Sequence, residues 1–208
     1  MSSLRARLAI KRAIDVGGAS AALLALSPVL AWVALLVAVT QGLPILFRQR
    51  RPGLGGAPFE ILKFRTMRAP RKDEVWYLTD NQRITPLGRF LRATSLDELP
   101  ELWNVLRGEM SLVGPRPLLM EYLASYTPEE MRRHDVRPGV TGWTAVNGRN
   151  LLRFQDRLTL DLWYVDHWSL RLDLRILLMT ATQVIRRQGV TTTEDLELGF
   201  PLPGPDVE

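Results

Sequence analysis

The chain has 208 residues, of which 46% are hydrophobic, and it carries a net charge of +5 with a pI near 10.1. This size favours one domain with one core. The absence of cysteine excludes disulfides and thiolate metal sites, and two histidines argue against a zinc centre. The basic surface favours phosphate-bearing partners, but its charges are interspersed with apolar stripes rather than grouped in a nucleic-acid module, so no nucleic acid is expected.

Residues 16–47 form an uncharged run that basic residues flank on both sides. Residues 16–40 alone are long enough, at ~1.5 Å per residue, to cross a hydrocarbon core of ~30 Å. Ser27 and Pro28 interrupt the run near its middle. Because positive charge favours the cytoplasmic side, we expect a re-entrant helix-break-helix with its break at Ser27 and Pro28. The alternative is a spanning helix with a proline kink.

Residues 44–67 predict a β-hairpin, since two runs of strand-forming residues flank a turn rich in glycine. Lys63 and Arg65 fall on the same face of the second strand by two-residue alternation. From the residues alone, this face is as consistent with solvent as with a ligand.

Residues 94–117 hold the candidate chemistry. Ser95 followed three residues later by Glu98 has the form of a capping box, which predicts Asp97 and Glu98 in the first turn of a helix. Two carboxylates there could simply complement the helix dipole. Residues 110–113 predict a short buried strand, and the prolines on either side of Arg116 restrict its backbone.

A restrained arginine near two carboxylates indicates an anionic ligand together with a divalent cation. Arginine and a helix N-terminus both favour phosphate, whereas Asp97 and Glu98 repel it unless a cation lies between them. Asp97 and Glu98 as ligands of Mg²⁺, with Arg116 on a phosphate, therefore form one consistent set.

The remaining segments add basic groups and helices. Residues 85–95 predict a short helix with Arg89 and Arg92 on one side, facing either lipid phosphate or substrate. Residues 137–150 contain three glycines and predict a loop or hairpin whose amides could approach a phosphate. Residues 158–189 predict two helices with apolar stripes, and Asp161 lies in the first of them.

Three blocks in this order resemble the signature of a known family: KFRTM at residues 63–67, SLDELPELWNVLRGEMSLVGPRPLLMEYL at 95–123 and RPGVTGWTAVNGRN at 137–150. They resemble the bacterial sugar transferases, specifically the small monotopic polyprenyl-phosphate phosphoglycosyl transferases. The resemblance runs from about residue 11 to about residue 191. One departure is that Thr144 and Ala145 stand where most members have Ala and Gln, which leaves the identity of the sugar open.

The resemblance implies an α+β monotopic membrane protein of the bacterial inner membrane, facing the cytoplasm. Residues 1–42 would form the re-entrant helix, and residues 191–208 a loosely ordered acidic tail. Residues 43–190 would form a catalytic domain with a small β-hairpin and interfacial amphipathic helices. Inner-membrane lipids would surround the helix, and downstream glycosyltransferases would be further partners.

The resemblance also implies the reaction, which transfers a sugar-1-phosphate from a UDP-sugar to undecaprenyl phosphate with release of UMP. Asp97 would be the nucleophile and form a covalent phosphosugar intermediate, while Glu98 would orient Mg²⁺ or assist the acceptor. An N-acetylated sugar is favoured, with UDP-glucose and UDP-galactose as alternatives. The candidate substrate-binding residues are Lys63, Arg65, Arg92, Arg116, Arg149 and Asp161.

A different class of function is a non-catalytic membrane scaffold that uses its arginines to hold anionic lipid. This alternative explains the apolar segment and the basic surface. It gives no reason for Asp97, Glu98 and Arg116 to occur together.

Overall fold

The structure is a computed structural model that describes residues 2–69, 80–148 and 152–186. It mixes helices with two small sheets, as the α+β prediction requires. The elements are α1 (Ser2–Ala25), α2 (Ser27–Gln41), β1 (Leu46–Pro52), β2 (Pro58–Phe64), α3 (Asp80–Arg83), α4 (Pro86–Ala93), α5 (Glu101–Arg107), β3 (Ser111–Val113), α6 (Pro128–Met131), β4 (Gly139–Thr141), α7 (Trp143–Val146), α8 (Phe154–His167) and α9 (Leu170–Arg186). The predicted acidic tail lies outside the described residues.

A bend of 64° separates α1 from α2 at Ser27 and Pro28. Pro28 has no N–H, so the carbonyl of Leu24, four residues earlier, lacks its helical donor. The hydroxyl of Ser27 donates to that carbonyl at 2.8 Å instead. The two residues therefore break the helix while leaving no carbonyl unpaired at Leu24.

No single helix within the described ranges combines the length and the apolar character needed to cross a membrane. Leu4–Ala25 and Ser27–Gln41 meet those criteria only as a bent pair, on length and composition alone. The helix break lies where the sequence places it, and the re-entrant topology stays a prediction.

Polar contacts fix α1 to the rest of the fold. The ammonium of Lys11 donates to Asp173 at 2.6 Å. Arg12 donates to two carbonyls near the end of α5, where the helix leaves its last acceptors unpaired. The buried carboxylate of Asp15 accepts from the amide of Leu112 at 2.9 Å. The middle of α1, from Lys11 to Asp15, is therefore attached to β3, α5 and α9, while the division into domains at residue 42 stays a prediction.

The hairpin of β1 and β2 is antiparallel, with a register from Leu46 opposite Phe64 to Pro52 opposite Pro58, as predicted. The short strand predicted at residues 110–113 is also present, as β3. The prediction of a loop or hairpin at residues 137–150 is wrong in its first part, because residues 139–141 form β4 and pair in parallel with β3.

Glycines at positions 114, 139 and 142 allow this parallel pair to form. A Cβ atom on Gly139 would lie 2.1 Å from the backbone nitrogen of Gly114. A Cβ atom on Gly142 would lie 2.2 Å from the carbonyl oxygen of Gly114. Close approach of two backbones therefore requires these glycines, and the approach of a phosphate to this segment stays a prediction.

Gly139→Ala should destabilise the fold, because its methyl group would meet fixed backbone atoms. We expect a loss of about 1–3 kcal/mol, which lowers the melting temperature by roughly 2–4 °C per kcal/mol in a chain of this size. Gly17→Ala is the matched control, since nothing lies within 4 Å of its added methyl. Equal melting temperatures for the two variants in detergent would contradict this account of β3 and β4.

Candidate active site

The predicted capping box at Ser95 is wrong. Ser95 has a left-handed φ of 56°, and its side chain makes no capping hydrogen bond. Leu96–Glu98 form a 3-10 turn, and α5 begins only at Glu101. Pro100 explains the difference, because a helix running from Ser95 would bring its ring against the carbonyl of the residue four positions earlier. Asp97 and Glu98 therefore lie in a tight turn that precedes α5.

Glu98 is held by two cations. Its Oε1 atom accepts a hydrogen bond from Lys63 at 2.7 Å and another from Arg116 at 2.6 Å. Burial favours the neutral acid, but the positive charges of Arg116 and Lys63 outweigh it and hold the pKa of Glu98 well below its usual range. The Glu98 carboxylate is therefore ionised at neutral pH.

Asp97 has a different environment from its neighbour. It is 8% exposed, and its carboxylate forms no hydrogen bond or ion pair with the residues that the structure describes. Burial, followed by the negative charge of Glu98, raises the pKa of Asp97, against the opposing charges of Lys63, Arg92 and Arg116. A carboxylate that is poorly solvated and unbonded is more reactive towards an electrophile than one in water.

Asn104 positions Lys63 for this contact. Its side chain is fully buried, accepts from the amide of Leu62 at 3.0 Å and donates to the carbonyl of Glu60 at 2.6 Å. These bonds attach β2 to α5, so that the next residue of the strand, Lys63, reaches Glu98. Lys63 also lies 3.2 Å from Glu101 in α5.

Glu101 is a buried acid that the sequence analysis did not identify. Burial raises its pKa to about 7, with Glu98 adding to this effect and Lys63 and Arg116 opposing it. Its signal in the sequence is weak, because a glutamate three residues after Glu98 also fits an ordinary helix start.

Arg65 makes contacts different from those of Lys63. β2 ends at Phe64, and Arg65 instead donates to the backbone carbonyls of Gln41 and Gly42 at the end of α2. Cations suit the carbonyls of a helix C-terminus. A role for Arg65 in binding substrate stays a prediction, and the contacts here give it a structural one.

Arg92 lies nearer to the candidate nucleophile. Its Nε atom donates to the hydroxyl of Thr66 at 3.0 Å, and its charge acts on Asp97. Arg149 lies outside the described residues. Substrate binding by both arginines stays a prediction.

Asp161 is engaged within the protein. It accepts from Arg133 at 2.5 Å and from the hydroxyl of Thr144 at 2.6 Å, and all three residues are buried. Arg133 also donates to the carbonyl of Arg116 at 2.8 Å. Asp161 therefore supports the backbone of Arg116 through Arg133, and its predicted contact with substrate stays untested.

A cavity lies beside the carboxylates. Its lining residues are Arg51, Ile61, Lys63, Glu101, Arg116, Pro117, Leu118 and Gly139. In the sequence, Arg51 stands out only as one of the basic residues that flank the apolar run. The register of the hairpin could have found it, because Arg51 lies opposite Phe59 and thus on the same face as Ile61 and Lys63.

The described residues contain no group of three or more His, Cys, Asp or Glu side chains that could hold a metal ion. Two carboxylates remain available. Both hydrogen bonds to Glu98 end on Oε1, and the neighbouring Asp97 carboxylate is unbonded. Mg²⁺ is commonly held by one or two carboxylates with substrate phosphates and water, so this donor set fits it.

The comparison with known proteins agrees with the three sequence blocks. A family model described as bacterial sugar transferase matches residues 6–187. The chain belongs to this family. The predicted family and the prediction of a transferase enzyme are thereby confirmed.

Curated relatives in this family differ in length. An uncharacterized sugar transferase, EpsL, of Bacillus subtilis is 46% identical over 184 residues, which cover 88% of this chain and 91% of the relative. A UDP-glucose:undecaprenyl-phosphate glucose-1-phosphate transferase of Escherichia coli is 42% identical over 181 residues, 82% of this chain and 39% of the relative. A transferase of the same name from Caulobacter vibrioides is 42% identical, over 84% of this chain and 69% of the relative. The chain thus spans nearly all of one relative and less than half of another.

Proposed function

We propose that this transferase moves a sugar-1-phosphate from a UDP-sugar to undecaprenyl phosphate. The observation that carries the proposal is that two adjacent carboxylates have different environments. Asp97 is buried and has no hydrogen bond among the described residues, whereas Glu98 accepts hydrogen bonds from Lys63 and Arg116, which keep it ionised. Relatives that match more than four-fifths of this chain are named for this class of reaction.

In the first step, an oxygen of Asp97 attacks the sugar-linked phosphorus of the donor. The bond from that phosphorus to the bridging oxygen breaks, and UMP leaves with the bonding electron pair. The product on the enzyme is an acyl phosphate that carries the sugar. The positive charges of Arg116 and Lys63 favour the oxygens on which negative charge develops.

In the second step, an oxygen of undecaprenyl phosphate attacks the same phosphorus. The bond to Asp97 breaks, which restores its carboxylate and releases undecaprenyl diphosphate-sugar. No proton has to be transferred if both attacking groups are ionised. This suits a site in which cations, rather than an acid and a base, surround the reacting carboxylate.

Asp97 and Glu98 are the residues that would hold Mg²⁺ in the donor complex. When bound, the ion neutralises part of the diphosphate charge, which would otherwise repel the carboxylates. Release of UMP should therefore stop in excess EDTA and return when Mg²⁺ is added. Full turnover with every divalent ion chelated would overturn this part of the proposal.

The donor sugar has three candidates: an N-acetylated sugar, glucose and galactose. The resemblance of the sequence blocks favours an N-acetylated sugar, whereas the names of the Escherichia coli and Caulobacter vibrioides relatives favour glucose. Thr144 is one difference from the usual family pattern, and its hydroxyl is occupied by Asp161. Release of UMP from a panel of UDP-sugars decides between the candidates.

The bent pair α1 and α2 would place this chemistry at the membrane. Large apolar side chains are exposed along it, including Leu24 and Val39, each 76% exposed, and Trp32. Burial of such side chains in lipid is favourable, and the serine bond at the bend leaves no unpaired carbonyl at Leu24. We infer that both helices enter one leaflet from the cytoplasmic face of the inner membrane. A soluble donor and a lipid acceptor can meet there.

Asp97→Asn should abolish turnover with whichever donor the wild type uses best. The amide is a poor nucleophile, so we expect a loss of roughly 10³-fold or more in UMP release. Wild-type protein denatured after mixing with labelled donor should retain the labelled sugar phosphate, and the variant should not. Asp156→Asn, which changes an exposed carboxylate on α8, is the matched control. Substantial turnover by Asp97→Asn would count against the covalent route, and a wild type inert with every donor would favour the lipid-binding scaffold.

The topology is tested by cysteine labelling. Because the chain has no native cysteine, only the introduced cysteine reacts with the reagent. In intact cells, Ser3→Cys should resist a membrane-impermeant maleimide and react only after permeabilisation. Glu60→Cys in the hairpin is the cytoplasmic control. Adding Pro28→Ala restores the missing helical donor and should increase outside labelling of Ser3→Cys. Labelling of Ser3→Cys from outside without the proline change would refute re-entry.

A further inference from the structure

Arg51 carries a charge that has no counter-ion among the described residues. Its Nη2 donates to Gln49 at 2.7 Å, and its Nη1 makes a long contact of 3.4 Å with the carbonyl of Pro117. Its Nε is buried and has no hydrogen-bond partner among the residues described. Within the same residues, no carboxylate lies at ion-pair distance from it. Glu121 and Glu101 act on Arg51 only through their charge.

This environment is unfavourable for the protein alone. Burial, followed by the charge of Arg116, lowers the pKa of Arg51 to about 10, so the side chain remains positive at neutral pH. A buried donor without a partner and a cation without a counter-ion both destabilise a fold. In contrast, Lys63, Arg116 and Arg133 each contact a carboxylate. A negatively charged ligand bound at Arg51 would supply the counter-ion that the described residues do not provide.

The cavity beside the carboxylates offers a place for such a ligand. Arg51, Lys63 and Arg116 line it, and Glu101 is the one acidic group in the lining that the described residues provide. The volume of about 70 Å³ exceeds the ~10–15 Å³ that one water needs, so the cavity has room for a small polar group. A guanidinium fork matches the oxygens of a phosphate group in a bidentate manner. The charge of the lining and the geometry of the guanidinium therefore favour a phosphate group.

We propose that Arg51 binds a phosphate group of a substrate in this cavity, next to the site of Asp97 and Glu98. The inference rests on the proposed function for the identity of that substrate. The phosphate belongs either to the diphosphate of the nucleotide sugar or to the lipid acceptor. Both ligands present the same oxygens to Arg51, so kinetics must separate them.

Binding is tested first without turnover. Inorganic pyrophosphate serves as the probe, titrated calorimetrically into the full chain in detergent. Arg51→Gln should weaken its binding by about tenfold or more, as expected for loss of a charge-assisted pair of hydrogen bonds. Arg48→Gln is the matched control, because Arg48 lies on the same strand with its side chain 64% exposed. Its affinity should stay within about twofold of the wild type. Equal affinities for wild type and Arg51→Gln, or equal losses in both variants, would overturn the proposal.

Steady-state kinetics then identify the source of the phosphate. An increase of about tenfold in KM for the UDP-sugar alone assigns Arg51 to the donor, and the same increase for undecaprenyl phosphate alone assigns it to the acceptor. A KM change in neither substrate overturns the proposal. If the wild type transfers no sugar phosphate, the proposed function fails, while the pyrophosphate titration still decides whether Arg51 binds phosphate.

Arg51→Lys separates a loss of phosphate binding from a loss of folding. It keeps the charge but loses the planar fork, so we expect pyrophosphate affinity between those of the wild type and Arg51→Gln. The melting temperature of each variant is measured beside its affinity. If Arg51→Gln does not fold, Arg51→Lys carries the test, and wild-type affinity in that variant would overturn the proposal.

Discussion

The interaction on which the site depends is the sharing of one glutamate oxygen by two cations. Lys63 comes from the hairpin and Arg116 from the segment after β3, and both donate to Glu98 in the turn before α5. Three separate parts of the chain are thus joined at one carboxylate. The same positive charges act on Asp97 without bonding to it, so adjacent acids in one turn acquire opposite pKa shifts. Burial alone would have raised the pKa of both carboxyl groups.

Buried side chains behind the two carboxylates hold the residues of this site in place. Asn104 attaches the hairpin to α5, and the buried pair of Arg133 and Asp161 holds the backbone of Arg116. A buried pair of this kind is rarely a source of net stability, because desolvation offsets its attraction. Its value here is geometric, since it fixes the main chain from which the Arg116 guanidinium extends.

Local patterns in the sequence predicted much of this. Alternation and turn residues predicted the hairpin, Ser27 and Pro28 marked the helix break, and the three blocks identified the family. The wrong predictions lie where a short sequence pattern conflicts with a residue outside that pattern. Ser95 and Glu98 have the spacing of a capping box, but Pro100 delays the helix.

Other features depend on contacts between distant segments, which a local pattern does not contain. Gly139 matches a phosphate loop in composition, yet it is required by the backbone of Gly114, 25 residues earlier in the chain. In the sequence alone, Arg51 is one of the basic residues beside an apolar run. The pairing of β1 and β2 places it on the same face of the hairpin as Lys63. The roles of both residues became visible only from the fold.

The bend between α1 and α2 also has a consequence for the backbone around it. The hydroxyl of Ser27 supplies to the Leu24 carbonyl the donor that Pro28 removes, so this acceptor is paired within its own turn. That carbonyl therefore needs neither a water molecule nor a neighbouring chain. The backbone can change direction here without presenting a bare acceptor to apolar surroundings.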